Sequence, residues 1–329
     1  MKSLDQFSRR QIMAAVGALA ASPIPTRLFA QTANDKTIKF ILPVSAGSGV
    51  DGITRAAQAA LSKALQASVV IENQPGAGGV VGTNALTKSA PDGLTLSMVS
   101  NNHVIYPSVL KSLPFDPIKD ITPVAVVGST PMVLVVNAKF PAKTMKEFVA
   151  LLKANPGKYN YASSGNGTIL HLAAELMKDA TGTFATHIPY RGFGPMMADI
   201  IGGQVDFGVG ALPAVAGQIK SGNLRAICIA SPQRVSSHPD IPTAVEQGFP
   251  KYLVEGWFAA VGPAKMSADN VKRIHAAVSA AFATDEVKAA MARQGNTISI
   301  QSPEASSAFF QSELNKYAMV VKKAGIKPD

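Results

Sequence analysis

Pro43-Val44-Ser45-Ala46-Gly47-Ser48-Gly49-Val50-Asp51 is the stretch on which the reading of this chain turns. Before it lies Ile38-Lys39-Phe40-Ile41-Leu42, a short apolar run with the length and composition of a buried strand. After it, Ile53, Ala56, Ala57, Ala60, Leu61, Ala64 and Leu65 recur at helical spacing. A strand that ends in a Gly-rich turn and opens a helix presents backbone N–H groups without intrahelical partners at the positive end of the helix dipole. Such a turn holds an anion without any cationic side chain, so the stretch reads as a carboxylate or phosphate cradle.

The same residues admit a second reading. Gly47-Ser48-Gly49-Val50-Asp51-Gly52 matches the dinucleotide fingerprint G-x-G-x-x-G, and Glu72, behind the apolar run Ser68-Val69-Val70-Ile71, stands near the distance of a ribose-binding acid. On that reading the chain is an exported NAD- or NADP-dependent oxidoreductase. Two features weigh against it. Pro43 ends the strand early and leaves Val44-Ser45-Ala46 as additional loop, and Asp51 places a negative charge where a pyrophosphate would sit.

The compartment is read from the N-terminus. Ser8-Arg9-Arg10-Gln11-Ile12-Met13 precedes a small apolar run from Ala14 to Ala21, and Leu28-Phe29-Ala30 offers a cleavage point. A charged start and an apolar run too short to span a bilayer describe an export signal over residues 1–30. The paired arginines fit the twin-arginine route, and general secretion tolerates them too. No later apolar run reaches membrane-spanning length, so the expectation is a soluble, monomeric periplasmic protein. Cys228 is the only cysteine, which excludes an intramolecular disulfide and a multi-cysteine metal site. Within Ala226-Ile227-Cys228-Ile229-Ala230 it reads as a small buried hydrophobe. Of the formal net charge of +10, residues 1–30 carry +3 and leave +7. That balance suits anionic small molecules. No Lys/Arg block with interleaved aromatics marks a nucleic-acid surface.

From residue 38 onward short apolar strands alternate with helical patterns, the signature of α/β layers, and the length suffices for two lobes. A second Gly-rich turn, Gln74-Pro75-Gly76-Ala77-Gly78-Gly79, follows the strand at residues 68–71. Pro123–Val127 and Met132–Val136 read as two strands, and Lys143–Lys153 as a helix. Tyr159-Asn160-Tyr161-Ala162 then leads through Ser163-Ser164-Gly165-Asn166-Gly167-Thr168 into a helix carrying Ile169, Leu172, Ala173, Leu176 and Met177 on one face. This repeats the opening motif, so the two halves offer opposed cradles across a cleft. His103, His187, His238 and His275 stand isolated, no H-E-x-x-H occurs, and no G-x-S-x-G elbow occurs. The serines of the turns therefore read as hydrogen-bond donors, and His171 as a helix-start histidine. No catalytic residue, metal or cofactor is expected on the receptor reading.

A series of phrases spans nearly the whole mature chain in order: Glu72 to Gly79, Ala90-Pro91-Asp92-Gly93, Leu113-Pro114-Phe115-Asp116-Pro117, Tyr161 to Gly165, His187-Ile188-Pro189-Tyr190-Arg191-Gly192, Gly202 to Asp206, and Asp240-Ile241-Pro242-Thr243. In these the chain resembles the Bug-type periplasmic substrate-binding proteins of tripartite tricarboxylate transporters. The resemblance implies a two-lobed type II periplasmic binding protein fold, each lobe a mixed sheet flanked by helices. It places lobe 1 at 36–136 plus 257–329 and lobe 2 at 137–256, with crossing strands near Val133–Val136 and Trp257–Val261. It also implies capture of a small organic acid, a mono- or dicarboxylate with aromatic acids included, for membrane transporter subunits; a ligand sensor that moves nothing is the alternative the residues leave open. The ligand contacts expected are Val44, Ser45, Gly47, Ser48 and Asp51 of the first cradle, Gly78 of the second turn, Ser163, Ser164, Gly165 and Thr168 of the facing loop, and Tyr190 and Arg191 beside it, with Asp51 assigned chiefly to fastening the cradle by capping the helix or bonding loop amides. Two departures stand out: Val44 replaces the family's usual aromatic, and Gly47-Ser48 its glycine pair.

Overall fold

In the computed structural model residues 36–328 are described, and the expected export signal at residues 1–30 lies outside them. β1 (Thr37–Leu42), β2 (Ser68–Asn73) and β3 (Thr95–Ser100) run parallel, with β1 between the other two. Each is followed by a helix: α1 (Gly49–Leu65), α2 (Val80–Thr87) and α3 (Asn102–Val109). A 17-residue strand, β4 (Ile121–Asn137), opens the next stretch. After it come α4 (Met145–Ala154), β5 (Asn160–Ser163), α5 (Ile169–Thr181), β6 (Thr186–Pro189), α6 (Phe193–Gly202), β7 (Phe207–Ala211), α7 (Leu212–Lys220) and β8 (Leu224–Ile229). The chain returns through β9 (Glu255–Pro263) and closes with α8 (Ala268–Ala283), α9 (Asp285–Arg293), β10 (Thr297–Ile298) and α10 (Pro303–Lys323).

The ten strands form one mixed sheet in the order β2-β1-β3-β9-β4-β7-β5-β6, with β8 and β10 also paired to β4. β4 is the element that joins its halves. Up to Pro131 it pairs antiparallel with β9, and from Met132 it pairs with β7. The expectation of a mixed α/β sheet with crossing strands is met, and β4 and β9 are those strands. Gly128-Ser129-Thr130-Pro131, which lacks any strand pattern of its own, is held extended by partners on both sides: Ser129 faces Trp257 on one edge and Thr297 on the other. Cross-strand pairing overrides local propensity here and fuses the two expected strands into one.

Most helices begin at a side-chain cap that local sequence supplies. Ser48 caps α1 by accepting from the Asp51 amide, Thr168 caps α5, and Thr144 and Glu147 form a reciprocal capping box on α4. α9, which the sequence reading missed, starts at the Thr284 cap directly after α8 and buries Val287 and Met291 four residues apart. One apolar cluster gathers Phe40, Ile53, Leu61, Phe258 and Phe282 around β1, β3 and the first half of β4. The other gathers Val133–Val136, Phe148, Tyr161 and Phe207 around the second half. Because the strands preceding α1, α3 and α5 all end toward the same place, their carboxyl ends and the following helix starts meet in a shared crevice, as α/β topology dictates.

Candidate functional site

The two cradles face one cavity of about 520 Å3. On the first side, Val44, Ser45, Ser48, Gly49 and Val50 line it; on the other, Ser164, Gly165, Thr168, Ile169 and Leu170 do. The other elements then complete it. Gly76–Gly79 enter ahead of α2, Asn101 and Asn102 at the start of α3, Gly192 and Phe193 at the start of α6, and Ala211 as the residue capping α7. The amino ends of α1, α2, α3, α5, α6 and α7 thus open on the same space. Among the described residues no aspartate or glutamate lines it, and Arg191, which is exposed, is the only formally charged one in the lining. Partial positive charge from helix ends, uncompensated by any carboxylate, makes the cavity an anion site.

Asp51 explains how the first cradle keeps its shape. It is 4% exposed, and its carboxylate accepts from the Gly47 amide at 2.9 Å, from Asn73 Nδ2 at 2.9 Å and from Arg55 Nε at 2.8 Å. Asn73 Nδ2 also donates to the Val44 carbonyl at 3.2 Å. The charge is consumed within the protein, and the loop from Val44 to Gly47 is pinned from behind. The amides of Gly49 and Val50, first in α1, have no intrahelical partner. Asp51 and Gly47 therefore do not line the cavity, contrary to the expected contact set; they fasten it. Glu72, which stood at the place of a ribose-binding acid, pairs instead with Lys39 at 2.8 Å between β2 and β1 and is held below the ordinary carboxylate range by that lysine and by Gln74.

Ser163 is likewise a support and not a contact. It is fully buried, its hydroxyl donates to the Gly165 carbonyl at 3.1 Å, and it lies 2.6 Å from His187 Nε2. His187 is stacked on His171 at 3.9 Å and on Tyr161 at 4.8 Å. Burial first, then the neighbouring His171 and Lys178, push its imidazole down to about 3. Tyr161 hydrogen-bonds Glu175, which also pairs with Lys178 at 2.6 Å. This polar layer behind the second cradle holds Ser163-Ser164-Gly165 in place. Ser164 Oγ donates to Thr168 Oγ1 at 3.3 Å, and Thr168 Oγ1 donates to the Gly165 carbonyl at 2.9 Å. Tyr190 lines the cavity, but its hydroxyl is turned to Asp199 at 2.6 Å, which together with desolvation raises it to about 12.

Close backbone approach ties the helix starts together. A Cβ on Gly49 would stand 2.8 Å from Ala211 Cβ, and one on Gly192, whose φ is +130°, would stand 2.3 Å from Ser45 Oγ. Asn102 spans the crevice: Nδ2 donates to the Gly78 carbonyl at 3.2 Å, and Oδ1 accepts from the Ile169 amide at 2.8 Å.

The floor consists of residues with no local signature of binding: Thr130 and Met132 on β4, and Gly256 and Trp257 on β9. Trp257 is 5% exposed and held on all sides. Its Nε1 donates to Glu313 at 2.8 Å, its amide to Asn101 Oδ1 at 2.9 Å, and its ring meets Phe309 and Phe310 of α10. Of the expected contacts, Val44, Ser45, Ser48, Gly78, Ser164, Gly165, Thr168, Tyr190 and Arg191 line the cavity. Asn101, Asn102, Tyr106, Thr130, Met132 and Trp257 were not foreseen. Of these, Met132 and Trp257 carried a sequence signal, each at the start of an expected crossing strand.

Residues 53–326 match the family described as Tripartite tricarboxylate transporter family receptor. Protein BugT of Bordetella pertussis is 34% identical over 320 residues, covering 96% of this chain and 98% of BugT. Among solved structures, an R. palustris protein with adipate is 26% identical at a TM-score of 0.86, over 90% of this chain and 99% of that one. MatC from Rhodopseudomonas palustris with bound malate is 27% identical at a TM-score of 0.82, over 87% and 99%. With the family matched over residues 53–326 and BugT alike across nearly the whole of both chains, this chain belongs to the tripartite tricarboxylate transporter receptor family.

Proposed function

We propose that this protein is an exported, monomeric receptor that captures a small organic carboxylate in the cavity between its cradles and presents it to a tripartite tricarboxylate-type membrane transporter. It binds and releases its ligand without chemical change. The observation that carries this reading is the convergence of six helix amino ends on a cavity with no acidic side chain in its lining. The relatives solved with adipate and with malate support the choice of carboxylate. Charge-assisted hydrogen bonds contribute roughly 1.5–3 kcal/mol each, and micromolar binding needs about 8 kcal/mol. Four or five donors toward the upper end of that range, with up to about 2 kcal/mol from a partly buried helix terminus, reach that figure without Arg191 even after the lost freedom of the ligand is subtracted.

The segments 36–136 plus 257–329 and 137–256 act as two lobes on this reading, moving about β4 and β9. The contacts of Gly49 with Ala211 and of Asn102 with the Ile169 amide correspond to the closed state. The test is a thermal-shift and calorimetric screen of the purified mature protein against mono- and dicarboxylates at moderate salt. At least one acid is expected to raise the melting temperature and to bind with micromolar affinity or better. A flat response across the whole panel overturns the reading.

A further inference from the structure

The two cradles differ in what they leave for a ligand, and the difference deepens the receptor reading, on which it rests. In the first, the amides of Gly49 and Val50 have no intrahelical partner, and Ser48 Oγ, in the cavity wall, is engaged only as the acceptor of the Asp51 amide. In the second, the donors are largely spent inside the protein. The Gly165 amide donates to Ser163 Oγ at 3.2 Å, the Gly167 amide to His171 Nδ1 at 3.0 Å and the Thr168 amide to the Gly165 carbonyl at 3.3 Å. The hydroxyls of Ser164 and Thr168 both donate within the loop. The Ile169 amide, first in α5 and at the positive end of that helix, donates to Asn102 Oδ1 at 2.8 Å.

Asn102 is half-buried in the cavity wall, and its Nδ2 donates to the Gly78 carbonyl at 3.2 Å. Its carboxamide oxygen stands where a ligand carboxylate oxygen would dock on α5. An acid group that takes the Ile169 amide must first turn Asn102 out, and both of its bonds are then lost. Little nearby replaces them for the newcomer. The Tyr106 hydroxyl is given to the Gly78 carbonyl and the Tyr190 hydroxyl to Asp199, while Arg191, the one cation in the lining, is exposed. A carboxylate that leaves water without enough donors is penalised far more heavily than a neutral group. The cavity therefore offers one well-supplied place for a carboxylate, at the first cradle, and resists a second at α5.

We infer that Asn102 is a specificity-determining residue: its carboxamide oxygen fills the amino end of α5 in place of a second ligand carboxylate, so the receptor takes monocarboxylic acids and discriminates against diacids. The first cradle holds the single carboxylate; Asn102 denies the opposite helix to another.

Calorimetry on the mature chain at neutral pH and physiological salt tests this with acids matched in body: hexanoate with adipate, butyrate with succinate, and benzoate with terephthalate. In each pair with a measurable member, the monoacid is expected to bind at least about tenfold more tightly. Asn102→Ala and Asn102→Ser, both too short to bridge the crevice, free the Ile169 amide and should narrow that ratio to about threefold or less, chiefly through tighter binding of the diacid. Asn102→Asp keeps an acceptor on the amide and adds a charge, so the ratio should stay at about tenfold or more. Loss of a merely structural bond would weaken both members of a pair alike and leave their ratio where it was. A diacid that equals or exceeds its monoacid on the unaltered chain, or a ratio unmoved in whichever of the two short variants keeps the native circular dichroism, would overturn the role of Asn102 and leave the receptor standing. Binding of none of the six acids would remove both.

Discussion

Asp51 shows how a charged residue in a binding loop serves the ligand without touching it. Its carboxylate gathers the Gly47 amide, Asn73 and Arg55, so Asp51→Ala leaves a buried amide and a guanidinium without their acceptor. A loss of about 2 kcal/mol in denaturant unfolding is expected, together with carboxylate binding weakened by at least about tenfold. Unaltered binding would return Asp51 to a merely surface role. Arg191 is the opposite case. It is exposed and screened, so Arg191→Ala is expected to shift carboxylate affinity by less than about threefold, measured at physiological ionic strength. Gly192 is fixed by geometry: at φ +130° and with Ser45 Oγ 2.3 Å from the position a Cβ would take, alanine is both strained and obstructed. Gly192→Ala should retain the fold by circular dichroism yet weaken carboxylate binding at least about tenfold, since the backbone at φ +130° is strained by a Cβ and the Ser45 hydroxyl in the first cradle must turn away.

Two histidines give individual elements a shared pH dependence. His103 of α3 is buried with Nε2 2.6 Å from the Pro117 carbonyl, and desolvation lowers it to about 4. His187 of β6, behind the second cradle, is lowered to about 3. Both imidazoles are neutral in the native state down to those values, whereas in the unfolded chain they take up protons near 6.5. The unfolded state therefore binds more protons as the pH drops through this window. Stability is full above pH 6.5 and declines between about 6.5 and 4, by about 3 kcal/mol for His103 alone. Melting temperatures taken across that range should fall monotonically with acid, and His103→Gln should flatten part of the slope. A melting temperature that rose on acidification would contradict both assignments.

Trp257, the only tryptophan, turns the entire receptor into its own reporter, because it lies on the crossing strand β9, lines the cavity and is braced by α10. A bound carboxylic acid is expected to shift or quench its emission in a saturable way, with the same midpoint as calorimetry. Emission insensitive to an acid that calorimetry shows to bind would detach the indole from the site. Its place also marks the boundary of what sequence can say. The first cradle, its repeat at Ser163–Thr168 and the helix after each were legible at once, because a strand, a small-residue turn and a helix cap are local patterns with local causes. The alternation of strand and helix gave the α/β class for the same reason. Asp51, in the first turn of a helix, reads locally as a fastener of its loop, and the Gly47 amide on its carboxylate agrees; nothing local separates Ser163 from its neighbour Ser164, a difference that depends on His187. Nothing local marks Thr130, whose extended backbone is held by its pairing with Gly256 of β9. By itself, then, the sequence determined the two anion cradles and the layered α/β architecture, since these follow from short-range periodicity and turn chemistry. Only the tertiary structure decided that six helix starts share one cavity and that β4 and β9 run beneath it, since both depend on strand pairings between residues more than a hundred positions apart.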